Sequence, residues 1–238
     1  NPAALEYAVK KRRLNRQTIG DFVIGYAPDQ GDALTKALEK RGFSRRELAD
    51  AGLVNRFGGD LFRGRMMVAL SDSSGEVVGF TGRIIRDDPR APKYLNTPQT
   101  LLFDKSRHIF GLYQAKEAIR KSDAAVIVEG NLDVVSSHQA GVKNVVATAG
   151  TAMTLQHLKA LSRLAGRIRV AFDGDRAGVS TDQGRGRGHL HGCREMERQA
   201  ENTLDGSAEK IAPGDPRRGS SWKEIQRAYR GRAEEGVR

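Results

Sequence analysis

Cysteine occurs once in the 238 residues, at Cys193, so no disulfide can form within the chain and nothing points to an oxidising compartment. Aromatic residues are scarce, at 6% with a single Trp222. No uninterrupted apolar run approaches the roughly 18 residues that a membrane span needs, which excludes an integral membrane protein as a reading. The opening residues do not read as a secretory or transit peptide, so none is expected. The chain starts at Asn1 rather than Met, so the sequence is expected to be a fragment of a longer protein. Acids are in deficit: 29 Asp and Glu face 40 Lys and Arg, a formal charge of +11. That surplus suits a polyanion partner, most often nucleic acid, and suits a merely solvated basic surface equally well. With 38% hydrophobic residues the chain is too apolar for wholesale disorder and long enough for one sizeable core or two small ones.

The first stretch, to about Gly52, reads as helical. Ala4, Leu5, Ala8 and Val9 recur at helical spacing before the basic cluster Lys10 to Arg13, which reads as a solvated helix face, as does Arg45-Arg46. Gly25-Tyr26-Ala27-Pro28-Asp29 is a turn signal, followed by an amphipathic piece from Ala33 to Lys40. A short helix fits Ser44 to Ala51, with Ser44 as N-cap, Glu47 at the capping-box position and Gly52 as the stop. From Val54 to Arg86 the runs turn β-rich, and Met66 to Leu70 and Glu76 to Phe80 flank a hairpin loop, Ser71 to Gly75. A loop rich in proline and charge spans Arg86 to Thr100, and Ile109 to Lys121 reads as a helix.

Next come three apolar runs of strand character: Ala124 to Val128, Val145 to Ala147 and Ile168 to Phe172. Helices from about Leu132 to Ala140 and Leu155 to Leu164 separate them, so a parallel sheet with crossover connections is expected, with Leu132, Val135, Leu158 and Leu161 in its core. Ligands of such sheets bind at the carboxyl ends of the strands. The first run ends in Glu129 and the third in Asp173-Gly174-Asp175. Alone, an Asp-Gly-Asp is usually a turn and a Glu-Gly after a strand is usually a helix-entry charge. Together on one rim, three carboxylates repel unless a cation or proton sits among them, which is the electrostatic form of a metal-assisted phosphoryl-transfer site.

Val128-Glu129-Gly130-Asn131-Leu132-Asp133-Val134-Val135 resembles the glutamate motif of the TOPRIM domain, and Asp173-Gly174-Asp175-Arg176-Ala177-Gly178 resembles its aspartate motif. Further fragments resemble the bacterial replicative primase family: Ile24 to Pro28, Phe62 to Met66, Lys93 to Pro98, and Phe103 to Arg107. Phe80-Thr81-Gly82-Arg83 is similar to that family's Phe-Gly-Gly-Arg, with Thr81 in place of its first glycine. The resemblance runs over about residues 1–178. TOPRIM motifs are shared with topoisomerases and nucleases, but the Lys-Tyr-Leu-Asn segment is far more specific to primases.

The resemblance implies an α/β fold: a helical and β-rich lobe over residues 1–122, with a basic template groove, then a parallel-sheet TOPRIM domain over residues 123–178. It implies that Glu129, Asp173 and Asp175 are catalytic and hold Mg²⁺ or Mn²⁺, with Asp133 supporting them. It places Arg63, Arg65, Arg83, Lys93 and Lys105 on template and nucleotide; Tyr94 could stack on a base or simply pack. The implied activity is primer RNA synthesis from ribonucleoside triphosphates on single-stranded DNA, in the bacterial cytoplasm at the replication fork. A replicative helicase is the expected partner of the full-length protein. The family's zinc-binding and helicase-binding domains are not matched within these residues. The alternative is a catalytically silent fragment that binds single-stranded DNA.

Residues 179–238 depart from the family. They are poor in aliphatic residues, rich in Arg and Gly, and read as poorly structured. Gly214-Asp215-Pro216-Arg217 only echoes the family's further acidic motif, so Asp215 is given no metal role. An altered reading frame near codon 179 would account for the change, and an intact frame in the source DNA would refute it. If this tail does not complete the sheet, the incomplete TOPRIM domain favours the silent fragment. His189, His191 and Cys193 offer three zinc ligands where a structural site needs four, so no zinc is expected.

Overall fold

The computed structural model describes residues 1–86, 88–150 and 152–171. The chain divides into two compact units, Asn1–Lys105 and Ser106–Arg238.

The first unit opens with helix α1 (Pro2–Glu6), whose N-terminus is capped by Asn1, and passes directly into a π-helical turn, Tyr7–Lys11. Helix α2 (Arg16–Asp21) follows, capped by Asn15, whose side chain accepts from Thr18 N at 2.8 Å. Strand β1 (Ile24–Ala27) lies where the sequence suggests a turn. It pairs antiparallel with β2 (Arg65–Ser71), Ile24 opposite Val68 and Ala27 opposite Arg65. Four residues are too few to display an alternation of their own; the partner strand supplies the ladder that holds them extended. Between these strands lie α3 (Ala33–Glu39) and α4 (Arg45–Asp50). The capping box on α4 is as expected: Ser44 N donates to Glu47 Oε2 at 2.7 Å, and Glu47 N donates to Ser44 Oγ at 3.3 Å. Helix α3 is secured from a distance by the buried Asp60, whose carboxylate accepts from Leu34 N and from both Thr35 N and Thr35 Oγ1.

Strand β3 (Val77–Ile84) completes the expected hairpin with β2, and β4 (Tyr94–Asn96) adds a fourth antiparallel strand from inside the proline-rich loop, giving the order β1-β2-β3-β4. Its three residues carry too little pattern to be read as a strand. Thr97 N donating to Phe80 O at 2.8 Å, with Phe80 N donating back to Thr97 Oγ1 at 2.8 Å, fastens the segment to β3. The central strand β2 buries Met66, Val68, Ala69 and Leu70, and Phe62 meets Phe80 edge to face at 6.4 Å.

Among the described residues the second unit holds a three-stranded parallel sheet, β5 (Ala124–Val128), β6 (Val145–Ala147) and β7 (Arg167–Ala171), in the order β6-β5-β7. Helix α5 (Leu112–Ser122) leads into β5, α6 (Asn131–Gln139) joins β5 to β6, and α7 (Leu155–Ser162) joins β6 to β7. Helix α5 starts later than its periodicity suggests because Phe110 pairs with Ala147, accepting from Ala147 N and donating to Ala147 O, before Gly111 turns the chain. Its Ala115 and Ile119 are buried in one cluster with Ala125, Ile127, Val146, Leu158, Leu161 and Ile168. Each buried Val, Leu or Ile side chain in this cluster contributes about 1.5–3 kcal/mol. Val135 is also buried, whereas Leu132, in the first turn of α6, is only half buried. The mixed α/β architecture is therefore an antiparallel sheet with helices followed by a parallel three-stranded sheet. The tail, residues 179–238, lies outside the described residues.

Candidate functional site

In the second unit β5 occupies the middle of the sheet, so its carboxyl end is flanked by the ends of both neighbours. Val128 stands opposite Ala147 on one side and Ala171 on the other. Glu129 comes directly after Val128 and is exposed. Among the described residues it has neither a hydrogen bond nor an ion pair. The next residue begins the entry to α6: Gly130 N donates to Asp133 Oδ2 at 3.1 Å, turning the exposed Asp133 back over the first turn of the helix. A Cβ on residue 130 would lie 2.6 Å from that same oxygen, so glycine is what lets the carboxylate close in. The structure thus places Glu129 and Asp133 at one strand end. Asp173 and Asp175 lie outside the described residues, as do Asp215, His189, His191 and Cys193. Among the described residues no group of three metal-ligating side chains is assembled. The donor chemistry present, carboxylate oxygen, is the class that Mg²⁺ and Mn²⁺ take.

The basic residues belong to the first unit. Arg65 opens β2 and is only 4% exposed. Its Nη1 donates to Gly82 O and Lys93 O, both at 3.4 Å, and burial pushes the guanidinium pKa down. Arginine stays charged regardless, so this is a desolvated cation held by neutral carbonyls. Gly82 makes room for it: a Cβ there would sit 3.0 Å from Arg65 Cδ, 3.0 Å from Met67 Sδ and 3.1 Å from a Phe62 ring carbon. The second glycine of the Phe-Gly-Gly-Arg pattern is therefore a packing requirement. At the first, Thr81 is buried opposite Val68 and Asn96 without disturbing the register.

Arg63 is exposed and, with Arg65 and Arg86, lines a cavity of about 430 Å³ that also contains Tyr26, Asp29 and Asp88. Lys93 is exposed; its carbonyl accepts from both Ile84 N and Arg65 Nη1. Lys105, half buried, ends the unit.

Arg83 sits apart from that cavity lining. Its guanidinium carbon lies 4.8 Å from the Tyr94 ring centre, its Nη1 donates to Tyr94 Oη, and its Nε donates to Tyr7 Oη at 2.8 Å. Tyr94, at 48% exposed, keeps much of its ring open while packed on Arg83. The same Tyr7 oxygen accepts from Arg12 Nε at 3.1 Å and Arg12 Nη2 at 2.9 Å. Burial opposes ionisation of this phenol, but the hydrogen bonds and charges of Arg12 and Arg83 outweigh it and hold its pKa below the ordinary value of 10.0. The solvated helix face expected over Lys10 to Arg13 is thus only partly so. Lys10 is exposed and pairs with Glu6 at 2.8 Å, whereas Arg12 folds back onto Tyr7. Tyr7 carries no sequence signal beyond its place before the basic cluster; its partner Arg83 is 76 residues away.

Residues 1–116 match the family described as DNA primase catalytic core, N-terminal domain, and residues 123–184 match the Toprim domain. The chain is 41% identical over 182 residues to a DNA primase of Listeria monocytogenes, over 74% of this chain and 29% of that protein. The matches span between 26% and 31% of the length of the curated relatives. Among solved structures, the RNA polymerase domain of Mycobacterium tuberculosis primase DnaG is 36% identical with a TM-score of 0.75, covering 96% of this chain and 74% of that one. A DnaG primase catalytic domain bound to single-stranded DNA is 31% identical with a TM-score of 0.74, covering 99% and 73% respectively.

Proposed function

This chain belongs to the DnaG-type family of DNA primase catalytic cores, and from that premise we propose that it makes short RNA primers on single-stranded DNA by metal-dependent nucleotidyl transfer. The observation that carries the reading is the placement of Glu129. It follows the central strand, whose parallel neighbour β7 is in register Val128 to Ala171 and leads through Phe172 into Asp173-Gly174-Asp175. Glu129, Asp173 and Asp175 are the proposed metal-holding carboxylates, with Asp133 fixing the turn beside Glu129. Mg²⁺ or Mn²⁺ bound there would neutralise charge on the attacking 3′-oxygen and the departing pyrophosphate. The carboxylates keep that rim of the sheet anionic and oxygen-rich, so it discriminates for a hard cation.

Arg63, Arg65, Arg83, Lys93 and Lys105 are the proposed contacts to template phosphates and to the incoming ribonucleoside triphosphate, an electrostatic track of the kind that holds single strands irrespective of sequence. We assign residues 1–122 to the template-binding lobe and 123–178 to the TOPRIM domain. The site of action is the bacterial cytoplasm, where a replicative helicase would engage the full-length protein. Among the described residues no helix is long and apolar enough to cross a membrane.

The test is primer synthesis on single-stranded DNA with Mn²⁺ and labelled ribonucleotides. Short RNA products are expected from the chain as it stands. Glu129→Gln and Asp173→Asn are each expected to lower synthesis at least about 100-fold while template binding persists. Synthesis that survives in both variants would refute the metal assignment, and template binding without products from the unaltered chain would make it a binding fragment.

A further inference from the structure

Helix α1 does not end regularly: Arg12 N donates to Tyr7 O, five residues back, at 3.0 Å. In an α-helix, residues five apart point about 140° away from each other. The π-turn brings them onto one side, and this is why the Arg12 guanidinium reaches the phenol of Tyr7. Arg83 reaches the same oxygen from β3. Two guanidinium groups therefore converge on one neutral oxygen, and among the described residues no carboxylate pairs with either. Like charges held this close repel, so the arrangement is one that a bound anion relieves. The Tyr94 ring, packed on Arg83, adds an aromatic face beside the two cations.

We propose that Tyr7 is a positioning residue for single-stranded DNA. Its hydroxyl fixes Arg83 against the Tyr94 ring and draws Arg12 alongside, so that the paired guanidiniums take one phosphodiester and the Tyr94 ring takes the neighbouring base. The chemistry is that of single-strand recognition: a forked cation for phosphate oxygens and a π-face for a base. The proposal rests on the assignment of Arg83 to the template. Tyr7 itself is buried and acts through Arg83.

The experiment measures binding of a fluorescein-labelled oligothymidylate of about 16 nucleotides across a salt series, for the full chain and its variants. Arg83→Ala is expected to weaken binding roughly tenfold and to flatten the slope of log K against log salt by about 0.7, the signature of one lost phosphate on a single strand. Tyr7→Phe keeps the ring and its packing but removes the oxygen. It is expected to weaken binding by roughly threefold or more with the same flattening, and to cost clearly less in the Arg83→Ala background than alone. Wild-type affinity and slope in Tyr7→Phe, or losses that add to those of Arg83→Ala, would overturn the positioning role while leaving Arg83 on the template. If Arg83→Ala itself binds like wild type, the template assignment falls, and the role of Tyr7 with it. Should Tyr7→Phe not fold, Arg83→Lys asks the same question, because lysine keeps the charge but cannot bridge the two hydroxyls. A loss close to that of Arg83→Ala supports the proposal, and wild-type binding overturns it.

Discussion

In the antiparallel sheet, Arg65 rests on the carbonyls of Gly82 and Lys93, and Arg83 on the hydroxyls of Tyr7 and Tyr94. In the parallel sheet Glu129 stands exposed at a strand end, with only the neighbouring Asp133 turned back onto the backbone. The cations are held before anything binds, by neutral groups that orient them without cancelling their charge. Glu129, by contrast, is placed by its position after β5 and held by no such partner among the described residues. Phosphate recognition by arginine depends on the direction of a planar fork, so pre-orientation matters there. A metal draws carboxylate oxygens into its own coordination geometry, so a carboxylate ligand needs less pre-orientation than a guanidinium fork.

That contrast can be broken most forcefully through the second core. Ile119 is fully buried against β5 and its neighbours, and Ile119→Ala is expected to cost about 2–5 kcal/mol. Hydrogen exchange should show protection lost at the β5 and β6 amides while those of β2 and β3 keep theirs. An equal loss in both sheets would mean that the two units open as one.

A smaller effect sharpens the other side. Gly82→Ala forces a methyl group to 3.0 Å from Arg65 Cδ and is expected to cost about 1–3 kcal/mol. Because the arginine itself must shift, the variant should also bind single-stranded DNA less well at a temperature where it is fully folded. Unchanged affinity with a lowered Tm would separate Arg65 from the template.

The smallest effect lies at the β2–β3 loop. Asp72 accepts first from the Ser74 hydroxyl; slight burial works against the charge, and the amides of Ser74, Glu76 and Gly75 add to the hydroxyl, so its pKa lies below the ordinary 3.8. A carboxylate with a depressed folded pKa lends stability above its unfolded pKa and loses it as pH falls through the folded one. Asp72→Asn, which keeps an accepting oxygen but no charge, should melt slightly lower at neutral pH, with the gap closing below about pH 3.8. A gap that persists in acid would assign the effect to geometry rather than charge.

The parallel sheet was legible because Ala124 to Val128 is apolar throughout, as a strand buried on both faces must be, and because Ser44 and Glu47 spell a cap within four residues. What escaped depends on distant partners. Strands β1 and β4 exist because β2 and β3 hold them, Asp60 caps a helix 25 residues earlier, and Arg83 meets Tyr7 across 76. Of the acids expected at the site, Glu129 directly follows β5, and Asp133 lies in the first turn of α6, turned back onto Gly130 N. Of the basic residues, Arg63 and Arg65 line the cavity, and Arg83 packs on Tyr94 and donates to Tyr7. Whether a side chain turns inward, as Arg65 and Arg12 do, is settled by neighbours that local periodicity does not encode.

The strand order β6-β5-β7 also sets a sequence of events in time. As the chain leaves the ribosome, β5 can pair first only with β6, and its other edge waits until α7 and Ala171 have followed. Until then Glu129 tips a two-stranded ribbon whose open side offers unpaired amides to any passing strand. The β5–β7 edge is thus the last part of the described sheet to close. A chain halted before residue 167 would carry the complete antiparallel sheet but only one of the two strands that flank β5.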